Sequence, residues 1–234
     1  MKNIIDKMLK KLLKIFFPQI CSSCSYILLE NENFICTNCR HNLPLTNFHL
    51  LHENEGFKKF YGRLKLNYVS SMLFYNKKGI VQKLIHNLKY KNHQEIGTIL
   101  GNWYVQDLEQ IECLKNIDFI IPVPLHSKRF KERGYNQVSS FCKAIAVGLN
   151  KKIEKSLLYR NEYNVSQSKK NLASRNLISQ TTFSSNYLEI HHNKHFLLVD
   201  DVLTTGATLE ACGNEILKIP GSKLSIVTIA MSLS

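Results

Sequence analysis

The sequence of 234 residues has little of what disordered, collagen-like or membrane-spanning chains require. It contains only 5 prolines and 10 glycines, while 44% of its residues are hydrophobic, which excludes a mainly disordered or low-complexity chain. No apolar run reaches the roughly 18 residues of a membrane-spanning helix. Acidic residues are also scarce, because 18 aspartates and glutamates stand against 31 lysines and arginines, a formal net charge of +13. This excess favours anionic partners such as phosphates, nucleic acid or acidic lipid.

The first seventeen residues lack the continuous apolar segment of a secretory signal peptide, because four lysines interrupt it. We therefore expect a cytoplasmic protein, in which the seven cysteines are thiols and metal ligands rather than disulfides. Apolar residues recur at helical spacing between these lysines, which predicts an amphipathic basic helix over residues 1–17 that Pro18 ends. Such a helix either packs on the rest of the protein or makes peripheral contact with an acidic membrane.

The positive charge is concentrated in one segment of the chain. Residues 116–195 hold thirteen basic and five acidic side chains, whereas residues 196–234 hold two and four. Short apolar runs at 117–123, 195–199 and 224–230 predict buried strands. Helical stripes cover about 80–88, 95–111, 134–149 and 206–218. This alternation predicts an α/β fold, with a parallel sheet that helices cover on both faces.

Four cysteines form two pairs with the spacing of a metal site. Cys21 and Cys24 make one CxxC pair, and Cys36 and Cys39 make a second pair after eleven intervening residues. Each pair can direct two thiolates at one ion, and four thiolates complete a tetrahedral Zn²⁺ site with no open position for water. We therefore predict a structural zinc module over residues 18–50. The alternatives are an iron–sulfur cluster, two redox CxxC motifs or four unrelated core cysteines.

One stretch combines a buried strand with a loop that suits phosphate. The run 195–199 is followed by Asp200 and Asp201, by a hydroxyl-rich loop with Gly206, and by a predicted helix. Parallel sheets bind ligands at such carboxyl ends of strands, where a glycine lets the backbone approach and a helix N-terminus supplies N–H donors. The two carboxylates would repel a phosphate alone, so we expect them to hold hydroxyls of an attached sugar, with Mg²⁺ nearby. The alternative is a solvated strand end followed by an ordinary turn and helix cap.

The string Asp-Asp-Val-Leu-Thr-Thr-Gly-Ala-Thr at 200–208 resembles the phosphoribosyl-pyrophosphate (PRPP) motif of type I phosphoribosyltransferases. Further motifs narrow the resemblance to the ComF/GntX family of competence-related proteins, and it covers nearly the whole chain after about residue 18. These motifs are the cysteine pairs, Leu88-Lys-Tyr90, Pro122-Val-Pro-Leu, Arg129 and Arg133-Gly-Tyr-Asn-Gln137. The resemblance implies that a type I phosphoribosyltransferase-like parallel sheet occupies residues 51–234, behind the zinc module.

The resemblance also implies roles for individual residues. The carboxylates that contact the ribose hydroxyls of PRPP, as the catalytic pair, would be Asp200 and Asp201. The 5-phosphate would be held by Thr204, Thr205, Gly206, Ala207 and Thr208. The pyrophosphate would lie near Lys128, Arg129 and Arg133, an assignment that the attraction of cations to phosphate favours independently. A loop that closes over the site would contain Gln167 and Arg175. The alternative for the basic residues is a solvated loop.

The implied reaction is displacement of pyrophosphate from C1 of PRPP in the presence of Mg²⁺, through an oxocarbenium-like sugar. The acceptor is unknown, because no residue identifies itself as the reader of a base. The implied setting is natural transformation, with single-stranded DNA and a competence helicase as partners. A second hypothesis is a non-catalytic protein that binds DNA or the helicase and uses the fold as a scaffold. The thirteen basic side chains of residues 116–195 exceed what one pyrophosphate needs, which favours a longer polyanion as an additional ligand.

Overall fold

The computed structural model describes residues 16–51, 53–161 and 182–233. The helix predicted over 1–17 therefore lies almost wholly outside the described residues, as do Gln167 and Arg175. The part that carries the four cysteines has only short helices, which are α1 (Thr37–His41), a 3₁₀ turn (Phe48–Leu50) and α2 (Glu55–Lys58). Within the described ranges, no helix is both long enough and apolar enough to span a membrane.

Strands and longer helices alternate through the rest of the chain. The first half contains β1 (Tyr68–Tyr75), α3 (Ile80–Tyr90), α4 (Glu95–Leu108), α5 (Glu112–Lys115) and β2 (Phe119–Pro122). There follow α6 (Ser127–Arg133), α7 (Ser139–Gly148) and the short strands β3 (Lys152–Ile153), β4 (Leu158–Arg160) and β5 (Phe183–Ser185). The last elements are a 3₁₀ turn (Glu189–His191), β6 (His195–Leu203), α8 (Ala207–Ile216) and β7 (Lys223–Ser232).

Five strands form one parallel sheet in the order β1-β7-β6-β2-β3, while β4 and β5 form a separate antiparallel pair. In the centre of the sheet, β6 pairs with β7 on one side and with β2 on the other. The chain leaves β6 towards β7 and leaves β2 towards β3, so the connections run in opposite directions from these two neighbours. Their carboxyl ends therefore border a crevice of the kind in which α/β sheets bind ligands.

Successive strand residues point to opposite sides of the sheet, so both faces carry apolar side chains, and helices cover both. On one face α3, α4 and α7 pack over side chains such as Ile120 and Leu197. On the other face α8 packs over the adjacent residues Ile121 and Leu198. All four of these side chains are fully buried. The predicted fold class is confirmed: a parallel sheet with helices on both faces follows a module that contains four clustered cysteines.

The sequence analysis missed β1 because two serines interrupt its apolar pattern. Both serines are fully buried and find partners on other elements. The hydroxyl groups of Ser70 and Tyr104 lie 2.5 Å apart, and those of Ser71 and Thr228 lie 2.7 Å apart. A buried hydroxyl is tolerated when it is hydrogen-bonded, so this strand can lie in the sheet without an alternating sequence pattern.

Two glycines bring α4 and α7 into close contact. A Cβ on Gly97 would lie 2.2 Å from the Ser140 Oγ, and a Cβ on Gly101 would lie 2.6 Å from the Ala144 Cβ. Side chains at these positions would force the helices apart. Because Gly97 and Ser140 both lie near the start of their helices, the N-terminal ends of α4 and α7 meet at the same edge of the sheet.

Candidate functional site

The loop after β6 has the shape of an anion cradle. Gly206 begins α8 with φ +81°, a conformation that favours glycine, and a Cβ there would lie 2.9 Å from a ring carbon of Phe60. The cradle encloses a cavity of about 50 Å³, which is lined by Asp200, Val202 and residues 204–209. The structure thus brings all five predicted phosphate-loop residues to one small concave site at the N-terminus of α8.

Arg63 contacts this loop, and the sequence analysis missed it. Its Nη1 donates a hydrogen bond to the Thr205 carbonyl oxygen at 3.0 Å, and its Nε donates to Glu210 Oε2 at 3.0 Å. The guanidinium therefore connects the loop to the first turn of α8, and its charge is compensated by Glu210. Arg63 and Thr205 are 142 positions apart, so no local pattern in the sequence could have revealed this contact.

The two carboxylates occupy different environments. Since β6 extends to Leu203, beyond the predicted end at residue 199, Asp200 and Asp201 lie inside the strand and point to opposite sides. Asp201 is buried, and its Oδ2 lies 2.9 Å from the Nζ of Lys89. Burial and the adjacent charge of Asp201 raise the pKa of Asp200 to about 7. At neutral pH the Asp200 carboxyl group can therefore donate or accept a hydrogen bond, whereas Asp201 is held in an ion pair.

The end of α3 connects two of the motifs that carry the family resemblance. Lys89 lies there, between Leu88 and Tyr90, which contact the last residue of α6 and the chain just after it. The Tyr135 hydroxyl donates to the Leu88 carbonyl oxygen at 2.5 Å, and the Arg133 guanidinium carbon lies 4.9 Å from the centre of the Tyr90 ring. The sequence analysis assigned no role to Leu88-Lys-Tyr90. These three residues contact both Asp201 and the basic segment, and so connect the two.

The predicted pyrophosphate residues lie on α6, which follows β2 at the crevice. Lys128 and Arg129 are exposed, and neither forms an ion pair among the residues that the structure describes. Arg133 is more constrained, because its Nη1 also donates to Gln137 Oε1 at 2.7 Å. Among the described residues, Lys128 and Arg129 are thus unpaired cations on the helix after β2, while Arg133 is already held by protein groups.

The four predicted metal ligands converge on one point. The Sγ atoms of Cys21, Cys24, Cys36 and Cys39 all lie within 4.8 Å of one another. Zn–S bonds of about 2.3 Å would place the sulfurs of a tetrahedral site about 3.8 Å apart. Burial raises the pKa of the Cys21 thiol, but hydrogen bonds from backbone N–H groups, among them those of Cys36 and Ser23, lower it by more. The resulting pKa of Cys21 is about 7. This all-sulfur donor set could hold a zinc ion in a closed, structural site.

The cysteine module is attached to the same helices that border the crevice. The Asn87 Nδ2 donates to the Ser22 carbonyl oxygen, inside the first CxxC pair, at 2.6 Å. The Arg40 guanidinium carbon lies 4.5 Å from the centre of the Trp103 ring on α4. Three of the cysteines also belong to the apolar cluster that α3 and α4 build on the sheet. Asn87 lies two residues before Lys89, so one helix contacts both the cysteines and the carboxylate pair.

Comparison with known proteins finds relatives that are named as competence proteins or as DNA utilization proteins. The chain is 25% identical over 154 residues to the DNA utilization protein YhgH of Escherichia coli O6:H1, which is 64% of this chain and 66%, just under two thirds, of that relative. It is 31% identical over 143 residues to Competence protein F of Haemophilus influenzae, covering 58% and 59% of the two chains. It is 26% identical over 192 residues to Competence protein ComFC of Bacillus subtilis, covering 82% and 75%.

No protein-family model matches the chain. Among solved structures, similarity is found to UMP synthase from Leishmania donovani, with a TM-score of 0.35 and 13% identity over 73% of this chain and 29% of that one. Adenine phosphoribosyltransferase from Leishmania tarentolae gives a TM-score of 0.34 and 13% identity over 76% and 88%. Similarity at this level does not by itself establish a shared fold or function. The sequence relatives do confirm the resemblance: this chain has homologues in the ComF family of competence and DNA utilization proteins.

Proposed function

We propose that this protein binds PRPP and Mg²⁺ in the crevice between β6 and β2, and that it acts in the cytoplasm on DNA taken up during natural transformation. The observation that carries the proposal is the cradle after β6. A 5-phosphate there would accept hydrogen bonds from the first N–H groups of α8 and from the hydroxyl groups of Thr204, Thr205 and Thr208. The names of the homologues support the biological setting.

The other groups at the crevice suit the rest of the same molecule. Asp201 would accept a hydrogen bond from one ribose hydroxyl, and Asp200 would donate to or accept from the second. Lys128 and Arg129 would neutralise the pyrophosphate as its bond to C1 breaks. Mg²⁺ would supply further neutralisation of the pyrophosphate oxygens. The resulting activity is that of a phosphoribosyltransferase with an unknown acceptor.

Calorimetric titration of the full chain with PRPP and Mg²⁺ tests the binding step. We expect Asp200→Asn with Asp201→Asn, and separately Lys128→Ala with Arg129→Ala, to weaken binding at least tenfold. Lys115→Ala is the matched control, because Lys115 is exposed and pairs with Glu112 on α5. No binding to the wild-type protein at millimolar PRPP would exclude the proposal. Measured pyrophosphate release with bases, amines and DNA then distinguishes a transferase from a protein that only binds PRPP.

A second function is favoured by the exposed side chains around α6. Phe130 lies on α6 beside Lys128 and Arg129 and is 50% exposed, while Tyr90, which Arg133 of the same helix contacts, is 64% exposed. Aromatic rings stack on unpaired bases, and cations bind the phosphates between them. We propose as the alternative a non-catalytic protein that binds single-stranded DNA or a competence helicase. Peripheral membrane contact by residues 1–17 would be compatible with either function.

Fluorescence anisotropy with a labelled oligothymidylate tests the alternative. Binding should weaken steeply between about 50 and 200 mM salt, because neutralised phosphates release counterions. Lys128→Ala with Arg129→Ala should flatten this dependence, and Tyr90→Ala should weaken binding without changing its slope. Absence of binding at low salt would exclude the DNA-binding function and leave the PRPP site unaffected.

A further inference from the structure

Two large cavities adjoin one another at the carboxyl ends of β2 and β3. The first has a volume of about 410 Å³ and lies at the N-terminal ends of α4 and α7. The second has a volume of about 370 Å³ and lies along the segment between β2 and α7. They share Pro122, Ser139 and Lys155. Neither cavity is lined by a residue of the cradle after β6, and each alone has the size of a typical small-molecule site.

The first cavity combines cations with hydrogen-bonding groups. Lys143 reaches it from α7, and Lys155 reaches it from the chain after β3. Neither α4 nor α7 has a side chain that caps its N-terminus, so both helices direct the positive ends of their dipoles at this edge of the sheet. Glu95 and Gln94 also line the cavity, which adds acceptors for the hydroxyl or amino groups of a ligand. This combination suits an anion that is attached to a polar group, rather than a bare anion.

The second cavity has two aromatic rings in its wall, and a hydrogen bond holds one of them in place. It is lined by Phe130 and Tyr135, with Leu125 and Leu158 as further apolar neighbours. The Tyr135 hydroxyl is fixed by its bond to Leu88, so the ring is held while its face remains part of the cavity wall. Flat rings of this kind favour a planar heterocycle. Lys155 lies where the two cavities meet, between the aromatic part and the cationic part.

The cavities lie beside the crevice of the proposed PRPP site. Pro122, which lines both cavities, pairs in the sheet with Val199, the residue before Asp200. Cys142 lines the first cavity, and burial together with the nearby charge of Asp200 raises the pKa of this thiol. A ligand in the cavities would therefore lie on the β2 and β3 side of the crevice, one strand away from β6.

We propose that the adjoining cavities form a binding site for a nucleotide unit, with its phosphate at Lys143 and Lys155 and its base against Phe130 and Tyr135. Glu95 would accept a hydrogen bond from the sugar or base. This site is separate from the cradle after β6 and does not depend on PRPP binding. The unit can be a free nucleotide or one residue of a single strand, because the two sources offer the same groups to the same side chains.

Calorimetric titration of the full chain tests this site, with adenosine 5′-monophosphate and a hexathymidylate as probes. We expect Lys143→Ala with Lys155→Ala to weaken binding of the favoured probe at least tenfold. Both lysines are exposed, so the variant should fold, and its thermal midpoint is measured as a check. The exposed Lys115→Ala variant is again the control and should bind as the wild type does. A mononucleotide that binds as well as the hexamer identifies free nucleotide as the ligand, and a much tighter hexamer identifies the strand; either result supports the site.

The proposal is overturned if neither probe binds, or if both bind the double variant as tightly as the wild type. It is also overturned if pyrophosphate displaces the probe and its own binding requires the same two lysines, because the cavities would then belong to the PRPP site. Titration of the double variant with PRPP separates the two proposals. Retained PRPP binding with lost nucleotide binding supports two independent sites, whereas an absence of PRPP binding in the wild type affects the proposed function alone.

Discussion

The ion pair between Lys89 and Asp201 leads to a quantitative prediction. Their charged atoms lie 2.9 Å apart, and the two side chains are 23% and 7% exposed. At that distance the attraction is about 1.4 kcal/mol at the dielectric constant of water and about 6 kcal/mol at an effective constant of 20. Desolvation of the two partly buried ions offsets several kcal/mol of the larger figure. We therefore expect a coupling energy of about 2 kcal/mol between the two side chains.

A double-mutant cycle of Lys89→Met and Asp201→Asn, followed by urea unfolding at pH 7, measures this energy. Lys89→Met alone should lower the free energy of unfolding by about 3 kcal/mol, because it leaves Asp201 uncompensated beside Asp200. Adding Asp201→Asn should restore most of the loss. The exposed pair of Lys58 and Glu55 is the control and should show no measurable coupling. A coupling below about 0.5 kcal/mol for Lys89 and Asp201 would refute the reasoning.

Three further predictions concern the cradle, the carboxylates and the cysteine module. Gly206→Ala should lower the free energy of unfolding by about 1–3 kcal/mol in urea titrations, because its positive φ and the Phe60 ring both oppose a Cβ. The contribution of Asp200 to stability should fall as the pH rises from about 4 through 7, because folding favours protonated Asp200, whose pKa is raised to about 7; thermal melts of the wild type and of Asp200→Asn across this range should differ by this contribution. In protein loaded with zinc at the four cysteines, Asn87→Ala should speed release of the metal to a colorimetric chelator, because the bond to Ser22 that holds the first CxxC pair is lost, and an unchanged rate would contradict that role.

Local sequence patterns predicted the features that depend on neighbours along the chain. The apolar runs that became β2, β6 and β7 had to be buried whatever covers them, so their assignment needed no knowledge of the fold. The cysteine pairs each form a tight local turn, and their spacing was enough to predict that the four sulfurs meet. Gly206 was predictable for the same reason, because its role follows from the backbone of a single turn.

Local sequence patterns predicted the ends of an element less well where those ends depend on contacts with distant residues. The helix predicted over 134–149 is instead α7 alone, because Gly134 adopts φ +76° and ends the separate helix α6. The predicted strand 195–199 continues to Leu203, since pairing with β7 extends to Met231. Asp200 and Asp201 therefore lie in a strand and face opposite sides, and Asp201 is the one that pairs with Lys89.

By itself, then, the sequence determined a parallel α/β chain with a cysteine module, a phosphate-type turn and an acidic pair beside a basic segment. Only the tertiary structure decided which charges meet. Lys89 pairs with Asp201 because α3 packs on one face of the sheet, and Arg63 reaches Thr205 from 142 positions away. The two large cavities likewise form where α4, α7 and the segments after β2 and β3 come together. Such contacts depend on how whole elements pack. The packing energy comes from many residues that are far apart in the chain, so a short sequence pattern cannot predict them.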